Sequence, residues 1–179
     1  MTAIIRARIS QKIEDAQRAA SDKSPTRRRD AALRRDTLRM VQNALSIAER
    51  HSGVEPCDEQ ALEVLFREAS ARDALAAALR RDNQEVIAQR EEAEAAVLRE
   101  LLPPPMSEPE IAAAIDAAIT VSGATSARDC RKAMADLAPL LRGRADLKAA
   151  HEALAARLTV AAKPVKALGA IFDRTQALP

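Results

Sequence analysis

Apolar residues recur along the chain at helical spacing, and the interruptions divide it into segments. Ile5, Ile9, Ile13, Ala16 and Ala20 step by four and three, which puts them on one face of an α-helix. The stretch 21–26 ends that helix, because Pro25 lacks the N–H and the clearance that a helix interior requires. Leu38, Val41, Leu45 and Ala48 predict a second helix, with Gly53 as its left-handed cap and Pro56 opening the next element. Leu62, Leu65, Phe66, Ala69, Leu75 and Leu79 predict a third. Val86, Ala93, Val97 and Leu101 predict a fourth. Asp82 and Asn83 mark either a tight turn between these two or a local break in one bent helix.

Three consecutive prolines, Pro103 to Pro105, stop any helix and stiffen an extended segment. The pattern beyond them is shorter and more regular. Ser107 and Glu110 form an S-x-x-E capping box before Ile111, Ile115 and Ile119, and Gly123 closes that helix. Ser126 and Asp129 open the next, with Cys130, Met134, Leu137 and Leu141 as its stripe and Pro139 expected to bend its last turn. A final helix carries Leu147, Ala150, Leu154 and Leu158. The expected organisation is a helical N-terminal domain (1–102), a proline linker (103–106), a small three-helix C-terminal bundle (107–159) and a tail (160–179). Ile171 and Phe172 of the tail either dock on the body or move with a loose terminus.

Composition fixes the fold class. Two phenylalanines and no Trp or Tyr stand among 179 residues rich in Ala, Leu, Glu and Arg, so the chain is expected to be all-α. A core of Ala, Leu and Ile buries little area per side chain, so stability must come from long, closely packed helices. Net charge is +2, but its distribution is uneven. Residues 1–50 hold 12 basic and 6 acidic side chains, and residues 51–102 hold 6 basic and 12 acidic. Either the two halves pack and neutralise each other, or the first two helices present a basic surface to an anion. Cys57 and Cys130 lie far apart with no companion at metal spacing, which fits free thiols in a reducing compartment. With no run near the ~20 apolar residues of a membrane span, a cytoplasmic, soluble protein is expected.

The stretch Leu137–Ala150, LAPLLRGRADLKAA, joins two amphipathic segments through Gly-Arg-Ala-Asp. Gly143 suits the positive φ that closes a helix, and Asp146 suits the cap that opens one. Arg142, Arg144 and Lys148 are expected to gather beside a helix N-terminus, a place that favours phosphate. Arg128, Arg131 and Lys132 add charge on the preceding helix, against Asp129 and Asp136. The six cations are a candidate RNA-binding set. The alternative is that Arg142 and Arg144 only bond the carbonyls ending their helix.

These residues carry a resemblance. LPPPMSEPEI, GATSARDCRKAMADLAPLLRGRAD, TLRMVQNALSIAE (Thr37–Glu49) and REEAEAAVLRELLP (Arg90–Pro103) resemble the GatB/YqeY family over about residues 5–159. The Gly-Arg-Ala-Asp turn and the Leu-Pro junction are the specific parts, and the overall layout is similar to stand-alone YqeY-like proteins. The resemblance implies a two-part all-α protein whose C-terminal unit is similar to the tail of the B subunit of glutamine-dependent tRNA amidotransferases, a tail that contacts tRNA. It also implies a family-level label, carbon–nitrogen ligase activity with glutamine as amido-N-donor, although the ATP-dependent chemistry resides in an upstream domain missing here. Three positions depart from the pattern. Leu147 stands where a glycine usually follows the turn, Arg131 where a glycine is common, and Leu101 where an aromatic is often found.

The chain's own residues suggest no reaction centre. Neither G-x-x-x-x-G-K-[ST] nor G-x-G-x-x-G occurs. His51 sits at a helix end, His151 beside an apolar stripe, Cys130 on a stripe, and Glu91, Glu92 and Glu94 on a charged helix face. No catalytic residue, cofactor or metal site is predicted. With no aromatic stacking platforms, reading of unpaired bases is not expected, which leaves recognition of the shape and phosphates of folded RNA. The expected function is a non-catalytic accessory protein that binds tRNA or another structured RNA. The alternative is a protein-interaction module without RNA binding, working through the N-terminal helices or the tail.

Overall fold

A computed structural model describes residues 4–161, and the expectation for Ile171 and Phe172 lies outside them. The described residues are all helical: α1 Ile4–Ala19, α2 Pro25–Ser52, α3 Asp58–Arg81, α4 Glu85–Arg99, α5 Glu108–Ser122, α6 Cys130–Leu141 and α7 Leu147–Ala161. A short 3-10 turn, Ala127–Asp129, leads into α6. No helix is long and apolar enough to cross a membrane.

The chain folds as two compact units. The first takes the chain up to Met106 together with Leu141–Asp146, and the second takes Ser107–Leu140 and the chain from Leu147 onward. The Gly-Arg-Ala-Asp turn thus groups with the helices that precede the prolines.

In the first unit, α1 packs on α2 and α3 on α4. Pro25 occupies the first turn of α2, where its missing N–H costs nothing, and Gly53 closes that helix at φ +70° with its N–H on the Glu49 carbonyl. Asn83, at φ +58°, turns the chain between α3 and α4. They are therefore two helices, not one bent one. Ile9, Leu38, Val41, Leu45, Leu65, Leu98 and Leu101 form the centre of the core.

Two expected stripes hold only in part. Leu65, Ala69, Val97 and Leu101 are buried as expected, but Leu75 is exposed while Arg72 beside it is buried, and Val86 and Ala93 are exposed while Ala88, Ala95 and Leu98 are buried. The cause is an ion pair that occupies the seam between α3 and α4: Arg72 Nε lies 3.1 Å from Glu94 Oε2, with each side chain about a tenth exposed.

In the second unit, Ser107 and Glu110 cap α5 as expected, and Ser126 with Asp129 caps the 3-10 turn. Cys130 is buried with Leu137, Leu154 and Leu158. Pro139 lies within α6 on its exposed side, where the helix accommodates the ring and continues to Leu141. Arg157 of α7 donates to the Ala112 carbonyl at 3.0 Å and pairs with Asp116, fastening α7 to α5.

Candidate nucleic-acid interface

The six candidate cations fall into two kinds. Arg128, Arg131 and Lys132 are exposed at the start of α6, and none forms an ion pair or hydrogen bond with another described residue. Arg128 and Lys132 are one helical turn apart. Asp129 lies among them and is committed elsewhere. Its carboxylate accepts the Thr125 amide at 3.1 Å, the Ser126 amide at 3.0 Å and the Ser126 hydroxyl at 2.9 Å. These bonds, the Thr125 amide first, hold its pKa below the usual carboxylate value, with a smaller contribution from the Lys132 charge. A fixed anion thus offsets part of the local positive field.

Arg142 and Arg144 are half-buried and engaged within the first unit. Arg142 Nε sits 3.2 Å from Glu63 Oε1 of α3, a charge contact without hydrogen-bond alignment. Arg144 Nε donates to the Pro104 carbonyl at 3.0 Å, and the Arg144 carbonyl accepts the Met106 amide at 3.0 Å. Gly143 explains the turn's composition. Its φ is +69°, and a Cβ there would lie 3.2 Å from Leu62 Cβ and 3.3 Å from Pro103 Cδ. The turn is a buckle between α3 and the prolines. Lys148, on α7, belongs to the second unit.

Beside this buckle is a cleft of about 250 Å³ whose floor and walls include Phe66, Ala69, Ser70, Leu102, Pro103 and Gly143, with an Arg99–Asp73 ion pair at its lining. Its walls come from three segments, 66–73, 99–105 and 143, that lie 26 to 77 positions apart, so no local pattern announces it. A second hollow, between α1 and α2, is lined largely by charge: Lys12, Asp15, Asp22, Arg27, Asp30 and Arg34.

The mutual neutralisation of the two charged halves runs through two acids. Glu55 pairs with Arg6 at 2.9 Å, and Glu100 takes a two-bond contact from Arg34 at 2.6 and 2.7 Å and a third from Lys12 at 3.1 Å. The Arg34 guanidinium, then Lys12, bring the Glu100 carboxyl down to about 2 against the cost of its partial burial. Other acids of α3 and α4 serve their own arginines: Arg80 with Glu85 and Glu92, Arg90 with Glu94, Arg99 with Asp73. The side chains of Arg8, Lys23, Arg29, Arg39 and Arg50, all exposed on or before α1 and α2, form no ion pair or hydrogen bond with a described residue.

Among the described residues no three His, Cys, Asp or Glu side chains gather closely enough to hold a metal ion. Cys57 is exposed at the N-terminus of α3, 3.1 Å from a Glu59 oxygen, and its amide donates to Gln60. His51 and His151 are both exposed.

A family model described as Yqey-like protein matches residues 7–158. A comparison with curated proteins finds no match.

Proposed function

The chain belongs to the YqeY-like protein family, and from that premise we propose that it is a non-catalytic accessory protein that binds structured RNA, tRNA being the natural candidate. The observation that carries this reading is the trio Arg128, Arg131 and Lys132, three exposed cations within five residues whose side chains form no hydrogen bond or ion pair with a described residue and share only the field of Asp129. Three like charges held so close together repel, and a bound polyanion relieves what one carboxylate does not. Arg142 and Arg144 contribute by fixing the turn, and Lys148 extends the cationic set on α7. The ligase label attached to the family describes a relative's reaction, and no step of it is assigned to this chain. A cytoplasmic location follows from the same reading.

Anisotropy titration of labelled tRNA tests it. The charge reversal R128E/R131E/K132E is expected to lower affinity at least tenfold at 0.1 M salt and to flatten the dependence of log Kd on log salt by about 2 to 3, since each neutralised phosphate contributes a slope near 0.9. Equal binding by the wild type and this variant would remove the site.

The cleft at Phe66 and Pro103 favours one second reading, a protein-interaction module. A partner that co-purifies free of nucleic acid and is lost on Ser70→Trp, which fills the cleft mouth, would establish it.

A further inference from the structure

We infer that the outward face of α2 carrying Arg28, Arg35, Arg39 and Arg50 binds the phosphodiester backbone of a nucleic-acid double helix, as a contact independent of the α6 cations. The inference rests on reading the protein as a nucleic-acid binder and adds a second surface on the first unit.

At 100° per residue, positions 28, 35, 39 and 50 fall within about 60° of one another around the helix, and at 1.5 Å per residue they span about 33 Å of its axis. Ala31, Leu38, Val41 and Leu45 bury the adjoining side, centred about a third of a turn away, and Arg6 of α1 reaches across to Ser46 at 3.4 Å, adding a further cation to this flank. Arg28, Arg39 and Arg50 are exposed and Arg35 is half-exposed. The positions between them on this face are Ala32, Asn43 and Ser46, small or hydrogen-bonding and uncharged.

The acids nearest the stripe are already engaged. Asp36 pairs with Arg35 at 2.8 Å, and Glu49 and Glu55 both pair with Arg6, at 2.8 and 2.9 Å. Arg28 donates to the carbonyls of Asp22 and Lys23 at 3.1 and 3.3 Å, which orients its guanidinium and leaves its charge unneutralised. Arg39 and Arg50 have no partner among the described residues. Arginines one turn apart repel, and acids at the intervening positions would have relieved that repulsion at no cost to the fold. None is present.

The geometry selects the occupant. A double helix carries about one charge per 1.7 Å of axis on its two strands together, so about 33 Å of it holds about twenty phosphates, of which those on the near side can meet this face. An acidic protein fits poorly. Protein interfaces centre on Trp, Tyr and Arg anchors packed in dry pockets, and this face has no apolar side chain larger than Ala32 to pack around its arginines. The exposed Met40 and Ile47 lie about a quarter-turn away on the helix. Single-stranded nucleic acid requires stacking platforms, which α2 lacks.

The test uses the full chain, a labelled 20-base-pair RNA duplex, the DNA duplex of the same sequence, and poly-glutamate. Wild type is expected to bind RNA duplex with a steep salt dependence. R28E/R39E/R50E is expected to weaken it at least tenfold at 0.1 M salt and to flatten the log–log slope by about 2 to 3. The DNA arm tells which double helix is preferred, and loss of DNA binding in the variant supports the inference equally. R39Q/R50Q, with an unchanged unfolding midpoint, guards against misfolding and is expected to lose affinity in the same direction. If only R128E/R131E/K132E weakens binding, the inference falls and the proposed function stands. If only the α2 variants do, the inference stands and the α6 site falls. Wild-type binding to poly-glutamate as tight as to RNA, or no duplex binding at all, overturns the inference.

Discussion

The two hairpins of the first unit use arginine in opposite ways. In α3–α4, most arginines belong to the fold: Arg72 is sealed against Glu94, and Arg80, Arg90 and Arg99 each have an acid of the same hairpin, while Arg81 is exposed without an ion pair. In α1–α2, Arg6, Lys12 and Arg34 are tied down, while Arg8, Arg29, Arg39 and Arg50 are exposed without partners. Similar helices, made from similar residues, thus differ in whether charge is neutralised internally or left for something outside. What separates a structural cation from one free to bind a ligand is the number of acids within reach, not its own identity.

The sharpest way to break this comparison is to remove a structural arginine. Arg72→Ala leaves Glu94 buried with only the exposed Arg90 near it, and losing one partner of a buried pair costs about 3–5 kcal/mol. Urea unfolding should show this as a lower midpoint with an unchanged slope. Replacing both partners, R72M/E94L, should recover much of the loss, because two packed apolar side chains remove the desolvation penalty. A loss below about 1 kcal/mol for Arg72→Ala would put the pair with ordinary surface bridges.

The Gly-Arg-Ala-Asp turn sharpens the same distinction, since its arginines hold the chain together. Gly143→Ala must adopt φ +69° and also push into Leu62 and Pro103, whereas Gly53→Ala meets only the backbone strain because nothing lies within 4 Å. Left-handed backbone costs a non-glycine residue about 1–2 kcal/mol. We expect about 1 kcal/mol for Gly53→Ala and about 2–3 kcal/mol for Gly143→Ala, the excess measuring the close packing. Equal melting-point shifts for the two would show that the approach to Leu62 relaxes freely.

Local signals were readable in the sequence and distant ones were not. The caps at Gly53, Ser107 and Gly123 are fixed by a few neighbouring residues, and each sits where its pattern places it. Arg72 defeats the pattern because a charged residue is assigned to the outside unless its partner, 22 positions on, is known. The commitment of Arg142 to Glu63 and of Arg144 to Pro104 is hidden for the same reason: both are tertiary contacts spanning 40 positions or more. The α2 stripe is different. Its spacing of 7, 4 and 11 is visible in the sequence, but its meaning depends on which acids fold away from it, and that requires the coordinates.

Glu100 tests a strong electrostatic link between the hairpins. Its folded-state pKa, about 2, lies below the ordinary glutamate value of 4.5, so its contribution is complete above about 4.5 and fades as pH falls toward 2. The side chain is 38% exposed, so solvent screening limits the effect to about 1 kcal/mol. Glu100→Gln should destabilise by that amount at pH 7 and progressively less as pH falls toward 2, where the folded-state carboxyl is half protonated. A penalty that does not shrink between pH 4.5 and pH 2 would trace to packing instead of charge.

The smallest expected effect discriminates best. Arg28→Gln, Arg39→Gln and Arg50→Gln together remove three positive charges from a face where no acid answers them. Exposed positions away from caps and cores change stability by less than about 0.5 kcal/mol each, and here relief of like-charge repulsion offsets the lost carbonyl contacts of Arg28. The triple variant should therefore unfold within about 0.5 kcal/mol of wild type, and more nearly equal still at low salt, where the repulsion it removes is strongest. A clear destabilisation, above about 1 kcal/mol, would mean that these arginines hold α2 in place, and the contrast between the hairpins would collapse. Unchanged stability with lost duplex binding is the combination that a face kept for an external polyanion requires, since a structural role changes the first and only a binding role changes the second.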